Sequence, residues 1–162
     1  MQPDELLASS AYLAPSKSPA QPERIAITPN GKTAHVVNNI SPSPQGFGTV
    51  VPILTATNTA LAAITVGKNP TAIAITPDGT TAYVVDHYGN HVTPISTATN
   101  TALKPIKVPV GPAYIAITLD GRTAYVVNSG LAGMVTPIKT ATGIALPAII
   151  VGPRPGAIAI TP

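Results

Sequence analysis

Cysteine and tryptophan are absent from the 162 residues, phenylalanine occurs once, and charged residues make up only 9% of the chain. The lack of cysteine excludes disulfides, thiolate zinc sites, covalently attached haem and a cysteine nucleophile. Disulfide-free proteins occur in every compartment, so it says nothing of location. The charged share is far below the roughly 25% usual for soluble domains. With 44% hydrophobic residues, that argues against a disordered tail and fits sheets covered on both faces. The net charge of +3 comes from nine Lys and Arg against six Asp and Glu, scattered along the chain. There is no basic stripe, and few aromatic rings on which bases stack, so nucleic acid is not an expected partner. No apolar run approaches the roughly 18 residues of a membrane helix, so no membrane span is expected. The first residues, MQPDELLASSAYLAPSKSP, put Asp4 and Glu5 where a signal peptide has positive charge, and Ser9 and Ser10 interrupt Leu6–Ala14. No clear signal peptide is present. A Gly-rich phosphate loop, a Gly-x-Ser-x-Gly elbow and a His-Glu-x-x-His motif are also lacking.

What the chain does have is repetition. Ile-Ala-Ile-Thr begins at Ile25, Ile73, Ile115 and Ile158, and a proline stands three residues before each, at Pro22, Pro70, Pro112 and Pro155. Turn pairs follow at Asn30-Gly31, Asp78-Gly79 and Asp120-Gly121, then Ala34–Val37, Ala82–Val85 and Ala124–Val127, each Ala-aromatic-Val-Val or its histidine variant. Val-x-Pro-Ile comes next, at Val50–Ile53, Val92–Ile95 and Val135–Ile138, followed by TATNTAL at Thr55 and Thr97 and TATGIAL at Thr140. Apolar tails close the units near Val66, Val108 and Val151.

Each unit therefore predicts four short antiparallel strands. Asp-Gly and Asn-Gly between β-rich runs mark hairpins, and the Asn-containing TATNT segment is a second turn. Four strands at a period in the low forties is the pattern of a propeller blade. The expected fold is all-β: a β-propeller of four-stranded antiparallel blades at 22–66, 70–108 and 112–151, with a starting strand at 155–162. Residues 1–21 form a leader, poorly ordered or a partial outer strand. Ile-Ala-Ile-Thr is expected innermost, where small residues such as Ala26, Ala74 and Ala116 fit near the axis. Pro52, Pro94 and Pro137 fall inside the third strand, where proline removes a ladder donor. Their common register predicts a bulge there.

Pro-x-x-Ile-Ala-x-Thr-Pro-Asp-Gly, then Ala-Tyr-Val-Val-Asn at Ala124–Asn128, then Val-x-x-Ile-x-Thr-Ala-Thr resembles the YVTN-type β-propeller repeat over about Pro22 to Pro162. Val127 replaces the motif's Thr, Asp86 replaces its Asn in the second copy, and His35 replaces its Tyr in the first. The resemblance implies an exported or surface-associated protein and a fold shared with lactonases and with the scaffolds of some redox enzymes. Fold does not fix chemistry.

The Asp-Gly and TATNT turns are expected at one end of the ring, the more variable connections at the other. That variable end is where a site is expected. Its richest loop holds Asp86, His87, Tyr88, Asn90 and His91, which reads either as a metal- or proton-handling cluster or as a polar turn around Gly89. Arg24, Lys68, Asn69 and Arg154 lie just before inner strands at the same end and read as an anion-attracting rim or as solvated charge. The candidate ligand face is therefore Asp86, His87, Tyr88, His91, Lys68, Asn69 and Arg154, with no catalytic residue, metal ligand or cofactor assigned. A glycosylation sequon stands at Asn39-Ile40-Ser41.

Three units and an opening strand fall short of the four to eight blades of a closed ring. The expectation is a fragment, or a part-propeller completed by assembly, with self-association through uncovered apolar faces. The expected function is a non-catalytic binding or structural module with a protein or small-molecule ligand. The alternative is a fragment of a lactonase-like or redox-associated enzyme whose active site lies largely outside this chain.

Overall fold

The computed structural model describes residues 21–39 and 46–161, so the leader apart from Gln21, and the middle of the sequon loop, lie outside the described residues. The described chain is all-β and forms three antiparallel sheets of five strands each. Among the described residues no helix is long and apolar enough to cross a membrane.

The first sheet, blade 1, runs outward from β1 (Gln21–Ile27) through β2 (Thr33–Asn39) to β3 (Phe47–Leu54). Its outer strand comes in two pieces, β4 (Thr59–Ala60) and β5 (Ile64–Lys68), both paired with β3. Blade 2 repeats this with β6 (Pro70–Ile75), β7 (Thr81–Asp86), β8 (His91–Ser96), β9 (Thr101–Ala102) and β10 (Ile106–Lys107). Blade 3 does so with β11 (Pro112–Ile117), β12 (Thr123–Asn128), β13 (Met134–Lys139), β14 (Ile144–Ala145) and β15 (Ile149–Ile150). The inner strands β1, β6 and β11 touch in succession, so the blades stack around a common axis with Ile-Ala-Ile-Thr innermost.

The turn residues explain the hairpins. Gly31, Gly79 and Gly121 adopt φ of 71°, 74° and 70°, a region glycine enters without steric cost. The threonine closing each inner strand organises the turn. Thr76 donates its hydroxyl to Asp78 at 2.5 Å and accepts the amide of Thr81 at 3.1 Å, and Thr118 does the same with Asp120 and Thr123. Thr55, Thr97 and Thr140 then donate to the carbonyls of Gly31, Gly79 and Gly121 at 2.6–2.7 Å. These bonds bring the two turn types of each blade to one end, as the sequence predicts.

The expected bulge at Pro52, Pro94 and Pro137 is not there. Each proline pairs in unbroken register with the second strand, opposite His35, Tyr83 and Tyr125. Their carbonyls instead accept the amides of Leu61, Leu103 and Leu146 at 2.8 Å, from the outer side. The N and C=O of one extended residue face the same neighbour. The missing N–H therefore faces outward, where the outer strand is interrupted between its two pieces. Bulges recur in the inner strands, with register shifts at Pro22/Arg24, Pro70/Ala72 and Pro112/Tyr114, and a further shift lies at Phe47/Thr49, away from Pro52.

The core lies between blades. Val37, Val50, Ile64 and Val66 of blade 1 meet Ala82, Val84 and Ile95 of blade 2, with Ile73 and Ile75 packed alongside. Tyr83, Val85, Val92, Ile106 and Val108 of blade 2 meet Ala124, Val126 and Ile138 of blade 3. Strand β7 thus sends Val84 one way and Val85 the other, as alternation requires, and both are fully buried. Low charge follows directly, because a blade between two neighbours has little face left for solvent. Ile25 and Ile27 of blade 1 are 61% and 57% exposed, although their counterparts in blades 2 and 3 pack against the preceding blade.

Candidate functional site

At the end of the axis opposite the Asp-Gly turns lies a cleft of about 270 Å3. Three consecutive blades build it. Blade 1 gives Glu23 and Arg24, blade 2 gives Asn69, Thr71, His87 and Tyr88, and blade 3 gives Ala113 and Tyr114. The inner-strand bulges put Glu23, Thr71 and Ala113 at this end, and Thr71 donates to the Ala113 carbonyl at 3.2 Å, tying two inner strands together.

His87 is held by its neighbour. Its Nδ1 lies 2.8 Å from the Pro112 carbonyl, which can only accept. The proton of the neutral ring therefore sits on Nδ1, and Nε2 carries a lone pair. Ser129 stands at the same place in blade 3 and donates to the Pro155 carbonyl at 2.9 Å, so the side chain here is first of all a clasp onto the next repeat. Tyr88 packs edge-on against the His87 ring with centroids 5.1 Å apart. Asn69 takes φ of 51° immediately before Pro70, a place held by Gly111 at 75° and Arg154 at 53° in the next two units. Its side-chain oxygen accepts from Asn39 Nδ2, its carbonyl accepts the His87 amide at 3.0 Å, and the Lys68 carbonyl accepts that of Tyr88 at 3.2 Å.

The sequence-predicted residues thus separate. Arg24, Asn69, His87 and Tyr88 meet in the cleft. Lys68 lies to the side, its ammonium 5.7 Å from the Phe47 ring centroid. Arg154 is exposed in the segment after blade 3 and does not line the cleft. Asp86 and His91 point elsewhere. Asp86 is fully buried, accepts the Thr93 hydroxyl at 2.6 Å, and has His91 Nε2 3.5 Å away. His91 is fixed through Nδ1 to the Gly89 carbonyl at 2.7 Å. Burial pushes the Asp86 carboxyl up to about 6, against the opposing pull of the Thr93 hydroxyl, the His91 ring and the Gly67 and Thr93 amides.

The corresponding side chain in blade 3 shows what this place requires. Asn128 accepts from the Thr136 hydroxyl at 2.8 Å and donates to the Pro109 carbonyl at 2.7 Å. Pro109 has no N–H to give. Its counterpart Gly67 does, and there an acceptor, Asp86, takes the place of the amide. A Cβ on Gly67 would lie 2.4 Å from Asp86 Cγ, so only glycine fits beside the carboxyl.

Tyr114, Glu23 and Thr71 were not predicted as site residues. Their only sequence signal is position, in the two residues after each inner-strand proline. Among the described residues no group of three or more His, Cys, Asp or Glu converges to hold a metal.

No family model and no curated protein matches the chain. Solved structures do. Kuenenia stuttgartiensis hydrazine synthase aligns with a TM-score of 0.76 at 28% identity, over 84% of this chain and 38% of that one. A candidate 6-phosphogluconolactonase from Bacteroides uniformis aligns with a TM-score of 0.71 at 16% identity, over 89% of this chain and 45% of that one. The chain thus spans less than half the length of either structure. Together with three stacked antiparallel sheets, these likenesses establish the fold as a β-propeller assembly of blades.

Proposed function

We propose that this chain is a YVTN-type propeller segment that works as a binding module, with the axial cleft as its ligand site. The carrying observation is convergence. Arg24, His87 and Tyr114 come from three separate blades and share one cleft that exists only when the blades stack. Its chemistry suits a small polar ligand with acceptor oxygens. The Arg24 guanidinium, one Nη1 proton of which goes to the Glu23 carbonyl at 2.7 Å, keeps further donors for a carboxylate, and Asn69 and two tyrosines line the same cleft. The Pro112 carbonyl fixes the His87 ring through Nδ1 and leaves Nε2 as a positioned acceptor for a ligand's donor.

The test is an amide-resolved NMR titration of the full chain with acetate and with inorganic phosphate. Saturable shifts at Thr71, His87 and Tyr114 are expected, weakened about tenfold by Arg24→Ala. His87→Ser keeps the clasp that Ser129 makes in blade 3, so it should leave the fold intact. Absence of saturable shifts at these amides with either anion sinks the proposal. A second reading, a segment of a propeller enzyme, draws on the 28% identity with a named enzyme over 84% of the chain. It gains only if catalysis appears in a longer polypeptide that contains this segment and is lost on Arg24→Ala.

A further inference from the structure

A second concavity lies outside the axial cleft, between the rims of blades 2 and 3. It has a volume of about 650 Å3. Tyr83, Pro94 and Ile106 floor it, residues 103–107 make one wall and residues 140–145 the other.

Comparison of the repeats explains why it is open. One turn position with left-handed backbone is Asn58 in blade 1, Asn100 in blade 2 and Gly143 in blade 3, with φ of 54°, 52° and 64°. At the first junction the Asn100 side-chain oxygen is buried. At the second junction that side chain is missing, and a Cβ placed on Gly143 would sit 3.6 Å from Ile106 Cδ1. The facing wall changes with it. Ala62 and Thr65 of blade 1 correspond to Lys104 and Lys107 of blade 2, and His35 corresponds to Tyr83. Several departures from the neighbouring repeats therefore fall together around one groove. The result is an apolar floor under two lysines, with no carboxylate in the lining. Asp78 acts on the Tyr83 hydroxyl through space but does not line the groove.

We infer that this groove binds a small organic anion, a molecule with a flat apolar body and a carboxylate or phosphate group. The volume is in the range of small-molecule sites, and apolar walls with a few placed polar groups are their usual make-up. The body rests on Pro94 and Ile106, and the anionic group meets Lys104 and Lys107. A bare inorganic anion forfeits the floor, and a neutral ring forfeits the lysines.

The experiment is a titration of the full chain with phenyl phosphate and with benzoate, followed at the backbone amides, with inorganic phosphate and benzyl alcohol as partial probes. Saturable shifts at Lys104, Lys107, Thr142 and Gly143 are expected for at least one complete probe, with each partial probe about tenfold weaker or more. Whether phenyl phosphate or benzoate binds more tightly identifies the anionic group. Gly143→Asn introduces the residue that holds the same backbone conformation in blades 1 and 2, so it should fold and block the groove. The paired change Lys104→Ala with Lys107→Thr restores the blade 1 residues and removes the charge. Each should weaken binding about tenfold or more, and if Gly143→Asn fails to fold, the lysine pair decides. The inference is overturned if no groove amide saturates, if benzyl alcohol binds as tightly as both complete probes, or if the folded variants bind like the parent.

Discussion

At the residue scale, the loop Asp86–His91 shows what a sequence can and cannot reveal. Its polar character is plain in the letters. That Asp86 turns inward while His87 and Tyr88 turn to the cleft depends on strand alternation at the end of β7 and on the space left by Gly67. The burial has a thermodynamic sign. Native Asp86 titrates near 6, above the ordinary carboxyl value of 3.8, so the folded state binds its proton more tightly than the unfolded state. This contribution, about 3 kcal/mol at most, is fully present below about pH 4, fades as pH rises to about 6, and is lost above that. His35 acts in the opposite sense. Fully buried, with neither ring nitrogen partnered among the described residues, it is held neutral because burial lowers its pKa, and it penalises folding in acid. The difference between two proteins therefore cancels His35 and leaves Asp86 with its partner His91. Asp86→Asn should gain stability relative to the parent between pH 4.5 and pH 7.5, measured by chemical denaturation at each pH. A gap that stays constant across that range would show that Asp86 is not the titrating group.

At the element scale, the hairpins were readable because their turns have chemical requirements. Asp-Gly and Asn-Gly supply left-handed backbone, and the flanking threonines supply the bonds. The prolines of the third strand were readable as a problem but not as its solution. From one strand the sequence cannot tell which side of the ladder loses its donor. The structure resolves it, because the carbonyls of Pro52, Pro94 and Pro137 all face outward, at the break in the outer strand. Proline there sacrifices no bond to the second strand. Two adjacent substitutions should therefore differ widely. Pro137→Ala removes no ladder bond and changes mainly the freedom of the unfolded chain, at about 1 kcal/mol or less. Ile138→Ala empties a fully buried position between blades 2 and 3 and should cost about 2–5 kcal/mol. Denaturant midpoints of the two variants test this, and equal losses would mean that the proline carries structural weight beyond the backbone.

At the scale of the whole molecule, the blades were legible because a period survives in the letters, whereas the sites were legible only in part: Arg24, Asn69, His87 and Tyr88 stood out, and Glu23, Thr71 and Tyr114 did not. Arg24, Asn69, His87 and Tyr114 are far apart in sequence and meet only through stacking, and the inter-blade groove appears only when one repeat is compared with its neighbour. Stacking also decides which surfaces are left over. Ile73 and Ile75 pack against blade 1, and Ile115 and Ile117 pack against blade 2. Ile25 and Ile27 occupy the same places in blade 1 and face solvent at 61% and 57%. At about 25 cal/mol per Å2 of apolar surface, a face of this kind favours association. The 162-residue chain should accordingly self-associate, with light-scattering masses that rise with concentration. Ile25→Thr combined with Ile27→Thr replaces exposed side chains and keeps β-branched residues suited to a strand. It should shift the mass toward the monomer and leave the denaturation midpoint of dilute protein nearly unchanged. Association that persists in the double variant would move the interface to another face. A large loss of stability would mean that these side chains are covered within the chain itself.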